Sequence, residues 1–140
     1  ARRAKKVIGV EIVEEAVERA KENAERNGIS NAFFYCADAS DTEGLLESIE
    51  KKAGEAIRPD VVILDPPRKG STPELIAYLA RRNIREVVYV SCDADTLARD
   101  CALFRQQGYA LSEVIPVNMF PRTGHIESVV RMTKTENETG

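Results

Sequence analysis

Short apolar runs alternate along the chain with longer stretches whose apolar residues recur every three or four positions. Val7-Ile8-Gly9-Val10-Glu11-Ile12 predicts a buried strand that ends on a carboxylate. Val13, Ala16, Val17, Ala20 and Ala24 then keep helical spacing until Asn27-Gly28 supplies a stop. Ala32-Phe33-Phe34-Tyr35-Cys36 predicts a second strand, with Asp38 just beyond it, and Leu45, Leu46 and Ile49 mark a short helix. A third strand, Val61-Val62-Ile63-Leu64, must close at Asp65-Pro66-Pro67, because proline offers no N–H to a central ladder. Ser71 or Thr72 can cap the following helix, with Pro73 in its first turn and Leu75, Ile76 and Leu79 facing inward. Residues 86–90 predict a fourth strand; Leu97, Cys101 and Phe104 line the helix after it, which Gly108 ends. Two last strands, about 110–117 and 126–132, come next with no helix between them, and 133–140 reads as a polar, frayed tail.

Strand–helix alternation with short turns argues an α/β fold: an open, doubly wound, mostly parallel sheet covered on both faces, with an antiparallel C-terminal strand. Its 140 residues suggest one domain. Such sheets bind ligands outside the carboxyl ends of their strands. Glu11, Asp38, Asp65 and Cys92 each lie just past a strand or at its end, so all four are expected along one edge. Any single acid there has an ordinary alternative duty in a turn or a helix cap; four together point to a site. Glu11 ends its strand where adenosine-binding sheets place an acid against ribose hydroxyls.

Charge and cysteine usage narrow the classes. A net charge of −3 gives no global basic footprint for nucleic acid, so any RNA contact must come from a local patch or from other parts of the protein. Arg81-Arg82-Asn83-Ile84-Arg85 is such a patch, although a basic helix end favoured by the helix dipole explains it more simply. Three irregularly spaced cysteines make neither a disulfide framework nor a metal site, which fits a reduced, cytoplasmic setting. Nor does any apolar run approach the roughly 18 residues a membrane span needs.

The chemistry concentrates at Cys92. Val88-Tyr89-Val90-Ser91-Cys92-Asp93 breaks from strand directly into helix, which puts a thiol at a helix mouth where backbone N–H groups favour the thiolate. Cys101 falls on the apolar stripe of its helix and reads as core; Cys36 could touch a ligand but packs more simply. Downstream, Phe120-Pro121-Arg122-Thr123-Gly124-His125-Ile126-Glu127 offers Glu127 as a proton acceptor and His125 as the weaker candidate. A thiol with separate carboxylates suggests covalent catalysis with a general base.

Together, Val7-Ile8-Gly9-Val10-Glu11, Asp65-Pro66-Pro67-Arg68-Lys69-Gly70, Ser91-Cys92 with Thr96-Leu97-Ala98-Arg99-Asp100, and the segment from Phe120 to Glu127 resemble the S-adenosylmethionine-dependent RNA 5-methyluridine methyltransferases. The resemblance covers residues 1–132 and implies the C-terminal part of a Rossmann-like class I methyltransferase domain acting on uridine in ribosomal or transfer RNA. It implies Cys92 as the nucleophile toward uracil C6 and Glu127 as the base that removes the C5 proton. Glu11 would bind the ribose of S-adenosylmethionine and Asp38 its adenine. Asp65, on the cofactor side of the site as well, would hold the uracil ring. Arg68 would approach the RNA or stabilise its own loop. Where the family carries Asn-Pro or a similar pair after its cysteine, this chain has Asp93-Ala94.

Before Val7 the chain holds no apolar strand running into a glycine-rich turn, and it opens instead on Ala1-Arg2-Arg3-Ala4-Lys5-Lys6. The expectation is a sheet lacking its first strand, which in the family lies between the strands at 7–12 and 61–64. Those flanking strands would then pair directly, or a second copy would supply an edge. The 140 residues alone are expected to bind cofactor weakly and to be inactive on RNA. An amino-directed adenine or guanine methyltransferase also uses Asp-Pro-Pro, but wants an aromatic residue next to stack a flipped base, where Arg68 stands. A non-catalytic, methyltransferase-like binding module would have no use for Cys92 and Glu127.

Overall fold

A computed structural model of the chain describes residues 1–38, 42–119, 121–122 and 126–135. It divides into two compact units, Ala1–Ile57 and Arg58–Gly140, where the length alone suggests one. The N-terminal unit runs β1 (Val7–Glu11), α1 (Glu14–Arg26), β2 (Ala32–Cys36) and α2 (Thr42–Ala53). Its two strands are parallel, in register from Val7 against Ala32 to Glu11 against Cys36. Helix α1 begins with Glu14 and Glu15 and finishes with Arg26, charges that suit its dipole. It stops where the sequence predicts: Gly28 takes φ +63°, Gly28 N–H donates to Glu25 O, and Ile29 N–H donates to Ala24 O at 2.8 Å. Val17, Ala24, Ile49 and Ile57 are the buried apolar residues of this unit, and no residue of β1 or β2 is fully buried.

The C-terminal unit contains β3 (Val61–Leu64), α3 (Pro73–Arg81), β4 (Glu86–Ser91), α4 (Ala94–Gln106), β5 (Tyr109–Leu111), β6 (Ile115–Val117) and β7 (Glu127–Lys134). Its sheet runs β3-β4-β7-β5, with β6 also on β7. Strands β3 and β4 are parallel and β7 is antiparallel to β4, the expected antiparallel ending. Thr72 caps α3, its hydroxyl accepting from Leu75 N–H, and Pro73 opens the first turn. One continuous core joins Ile76, Leu79, Leu97 and Phe104 of the helices to Val87, Tyr89, Val130 and Met132 of the strands. Phe104 stacks edge-on with both Tyr89 and Tyr109.

Four features differ from the sequence expectation. The strand read at 110–117 is two, because Ser112 interrupts it: its hydroxyl accepts from Arg131 N–H at 3.0 Å and donates to Glu113 O. The chain kinks there, and β5 and β6 meet different stretches of β7. Strand β7 also starts at Glu127 and continues through Lys134, two residues into the stretch read as tail. In the C-terminal unit α3 and α4 pack on a single sheet face. Val62 and Leu64 meet that core, whereas alternation turns Val61 and Ile63 to the other side, 44% and 70% exposed. Finally, the strands fall into two sheets where one is expected: among the described strands, β1 pairs with β2 within the N-terminal unit, and β3 pairs with β4 within the C-terminal one.

Candidate active site

The register of the C-terminal unit brings the predicted thiol and base together. Ser91 opposite Ser128 is the last registered pair of β4 and β7, and Cys92 and Glu127 are the next residues outward on either side. Alternation that buries Val87, Tyr89 and Ser91 against the helices puts Val88 and Val90 on the other face, and Cys92 follows in the bend just past the strand. Glu127 lies on the same face as Val129, at the same rim of the sheet that Cys92 adjoins. Both residues are half-buried. On its far side Glu127 pairs with Val117 of β6, so its backbone is held between neighbours rather than in a loop.

Asp65 comes directly after β3 and is exposed; with Leu64 level with Tyr89, it stands beside Val90 on the same carboxyl edge of the sheet. Past it the chain turns: Gly70 N–H donates to Pro67 O at 2.8 Å, with Arg68 and Lys69 exposed at the tip. Asp93 fills the N-cap of α4, its carboxylate accepting from Thr96 N–H at 2.9 Å, which is the bond an asparagine would make. The Asp93-Ala94 departure therefore keeps the strand-to-helix turn. Bonds from the Thr96 backbone and hydroxyl, with the Arg68 guanidinium as a lesser cause, hold the Asp93 carboxyl below its usual range. Arg68 thus steadies charge at the mouth of α4 from the neighbouring loop.

In the N-terminal unit, Glu11 ends β1 exposed, and its Oε1 accepts from Val13 N–H at 3.0 Å at the start of α1. Asp38 is exposed two residues past β2, beside the end of β1. A cavity of about 260 Å³ lies next to Glu11, lined also by Gly9, Val10, Val17 and Phe34. The larger concavity of this unit, about 580 Å³ between the end of α1 and the Phe33–Phe34 stretch, touches none of the predicted site residues. Cys36 is exposed, with its thiol directed at Ile12 O. Burial, and then the Asp100 charge, push the Cys101 thiol up, and it packs against the core as expected. His125 lies outside the described residues.

The arginines at 81, 82 and 85 are exposed at the opposite end of β4 from Cys92. At about 3.3 Å per strand residue, roughly 20 Å separates the two ends. That patch is not part of the rim that carries the thiol.

Sequence reasoning missed the polar cluster beneath the rim. Asp100 is fully buried; its Oδ2 accepts from Tyr89 O–H and from Ser71 N–H at 2.7 Å, and its Oδ1 from Arg99 Nε at 2.8 Å. Arg99 Nη2 also donates to Lys69 O at 2.9 Å and to Ser71 O at 3.1 Å. Burial, and next the bond to Asp100, push the Tyr89 phenol far above its ordinary range, so it stays a donor. The signal was present: Asp100 falls at the i+3 position after Leu97 and four residues before Phe104, on the helix's apolar stripe.

Comparison with known proteins places the chain in a family. Residues 1–135 match the family model described as tRNA (uracil-5-)-methyltransferase. The chain belongs to this family. An uncharacterized RNA methyltransferase of Enterococcus faecalis is 47% identical over 132 residues, 94% of this chain but 27% of the relative. One from Clostridium acetobutylicum is 44% identical over 133 residues, 95% of this chain and 28% of the relative. The chain thus spans little more than a quarter of the length of these curated relatives. Among solved structures, the tRNA (uracil-54, C5)-methyltransferase of Pyrococcus abyssi, crystallised with S-adenosyl-L-homocysteine, superposes with a TM-score of 0.76 at 33% identity. That match covers 95% of this chain and 30% of the other. A precorrin-6y C5,15-methyltransferase from Geobacter metallireducens, at 17% identity and a TM-score of 0.68, shows the Rossmann-like methyltransferase fold alone.

Proposed function

We propose that the protein containing this chain methylates C5 of uridine in a transfer or ribosomal RNA, using S-adenosylmethionine, with Cys92 as nucleophile and Glu127 as base. The observation that supports this most is the β4–β7 register, whose last pair, Ser91 and Ser128, immediately adjoins Cys92 and Glu127 in the chain. The donor set suits the cofactor's nucleoside: two exposed carboxylates, Glu11 and Asp38, end adjacent parallel strands, one to accept from ribose hydroxyls and the other from an adenine amine. S-adenosylmethionine, when bound, supplies an electrophilic methyl group carried on a sulfonium.

Uracil C5 is too poor a nucleophile to take that methyl group unaided. The Cys92 thiolate bonds to C6, and the displaced C5=C6 π pair makes C5 an enolate-like carbon able to attack the methyl. That methyl group would come to C5 from the sulfonium, whose sulfur would keep the bonding pair as a thioether. Glu127 then takes the C5 proton; the C–H pair rebuilds C5=C6 and the Cys92–C6 bond breaks, which returns the thiolate. Asp65, on the neighbouring strand end, holds the ring by hydrogen bonding, and Arg68 contributes charge near the mouth of α4 and toward the RNA. Action on RNA in the cytoplasm accords with three cysteines and no disulfide among the described residues.

The test is mass spectrometry of the full-length protein with 5-fluorouridine RNA and S-adenosylmethionine. Fluorine cannot leave C5 as a proton does, so the expected product is a methylated protein–RNA adduct. Cys92→Ala abolishes it. An adduct that survives this substitution, or none with the parent protein, overturns the assignment.

A further inference from the structure

The buried cluster around Asp100 does work that the reaction scheme leaves unassigned. Arg99 and Asp100 sit on the second turn of α4, the helix that begins two residues after Cys92. Their partners Lys69 and Ser71 come just after the Asp65–Arg68 turn. Arg99 Nη2 bridges the carbonyls on both sides of Gly70, and Asp100 accepts from the Ser71 N–H between them, so the loop is gripped on either side of that glycine. There is no slack in the grip: a β-carbon on Gly70 would lie 2.5 Å from Arg99 Nη2 and 2.6 Å from Asp100 Oδ2.

Resting on the reaction proposed above, we propose that Arg99 and Asp100 are positioning residues that lock the Asp65-bearing loop to the Cys92-bearing helix. The two segments come from separate strand ends and share no strand pairing beyond Leu64 and Tyr89. Without the clip, the uracil-holding carboxylate and the attacking sulfur drift independently. Neither residue touches substrate in this scheme; both act through Asp65 and Cys92. The guanidinium is needed as a planar fork, since it must serve two carbonyls and a carboxylate at once, a geometry an ammonium lacks.

Two variants of the full-length protein separate positioning from mere stability. Tyr89→Phe removes a fully buried hydrogen bond to Asp100 but leaves the Arg99 fork on the loop; Arg99→Lys keeps the charge but loses the fork. Arg99 is half-exposed, so Arg99→Lys is expected to fold and to melt closer to the parent than Tyr89→Phe does. Turnover runs the other way. Assayed well below both melting midpoints, Arg99→Lys lowers kcat about tenfold to a hundredfold, with KM for RNA close to the parent, while Tyr89→Phe stays within a few-fold. If kcat instead tracks the order of stability, or Arg99→Lys turns over like the parent, the positioning role is overturned and the proposed reaction stands. A parent protein that transfers no methyl group to uridine overturns both.

Discussion

Strands β1 and β4 look alike as sequence, each a short apolar run ending beside a residue proposed for the site, yet the structure treats them differently. β4 has a strand on either side, and its alternate residues Val87 and Tyr89 are completely buried. β1 has one neighbour and buries no residue fully. A two-stranded sheet is marginal by itself, while a strand flanked on both sides and packed on helices is anchored by its whole surroundings. An apolar run therefore forecasts a strand, but not how firmly that strand holds the side chains at its carboxyl end. Cys92 and Glu127 adjoin the many-stranded sheet of the C-terminal unit, whereas Glu11 and Asp38 follow the paired strands of the N-terminal unit.

The contrast is tested most strongly in the cores. Phe104→Ala should cost about 3–5 kcal/mol, because it empties the space between two tyrosines in a closed core. Phe33→Ala in β2, where the ring is 43% exposed, should cost a small fraction of that. Urea midpoints of the two variants measure the gap, and equal losses would erase the distinction between the units. Glycines give a second comparison of smaller size. Gly28→Ala should cost about 1–2 kcal/mol from its left-handed backbone alone, with nothing within 4 Å to obstruct the new methyl. Gly70→Ala carries the same backbone strain at φ +77° and a collision with Arg99 and Asp100 as well, so its melting midpoint should fall further.

The smallest effect is titratable. The folded Asp93 carboxyl has a pKa below the ordinary 3.8, so the stability it adds is complete above 3.8 and is lost as pH falls through the lower folded value. Asp93→Asn keeps the cap bond to Thr96 but cannot titrate. Its unfolding midpoint should therefore decline less steeply than the parent's below pH 3.8.

Much of this was legible in the chain because local chemistry fixed it. Pro66-Pro67 had to end β3, Ser71 or Thr72 with Pro73 had to open α3, where Thr72 proves to be the cap, and Gly28 had to end α1, since few other residues meet those backbone demands. The alignment of β4 with β7, which ends on Ser91 opposite Ser128, was not legible, because register is set by the whole ladder and not by either segment. The break between β5 and β6 was hidden for a different reason: Ser112 interrupts the strand through a bond to Arg131, nineteen residues away. Asp100 was overlooked because an acid on a helix ordinarily faces water, although its place on the apolar stripe argued otherwise.

Glu127 sits where β7 begins, braced by β6 on one side and adjoining the end of β4 on the other. Its main chain is thereby tied to the sheet on both flanks, so the acid inherits the rigidity of the C-terminal core rather than that of a connecting segment.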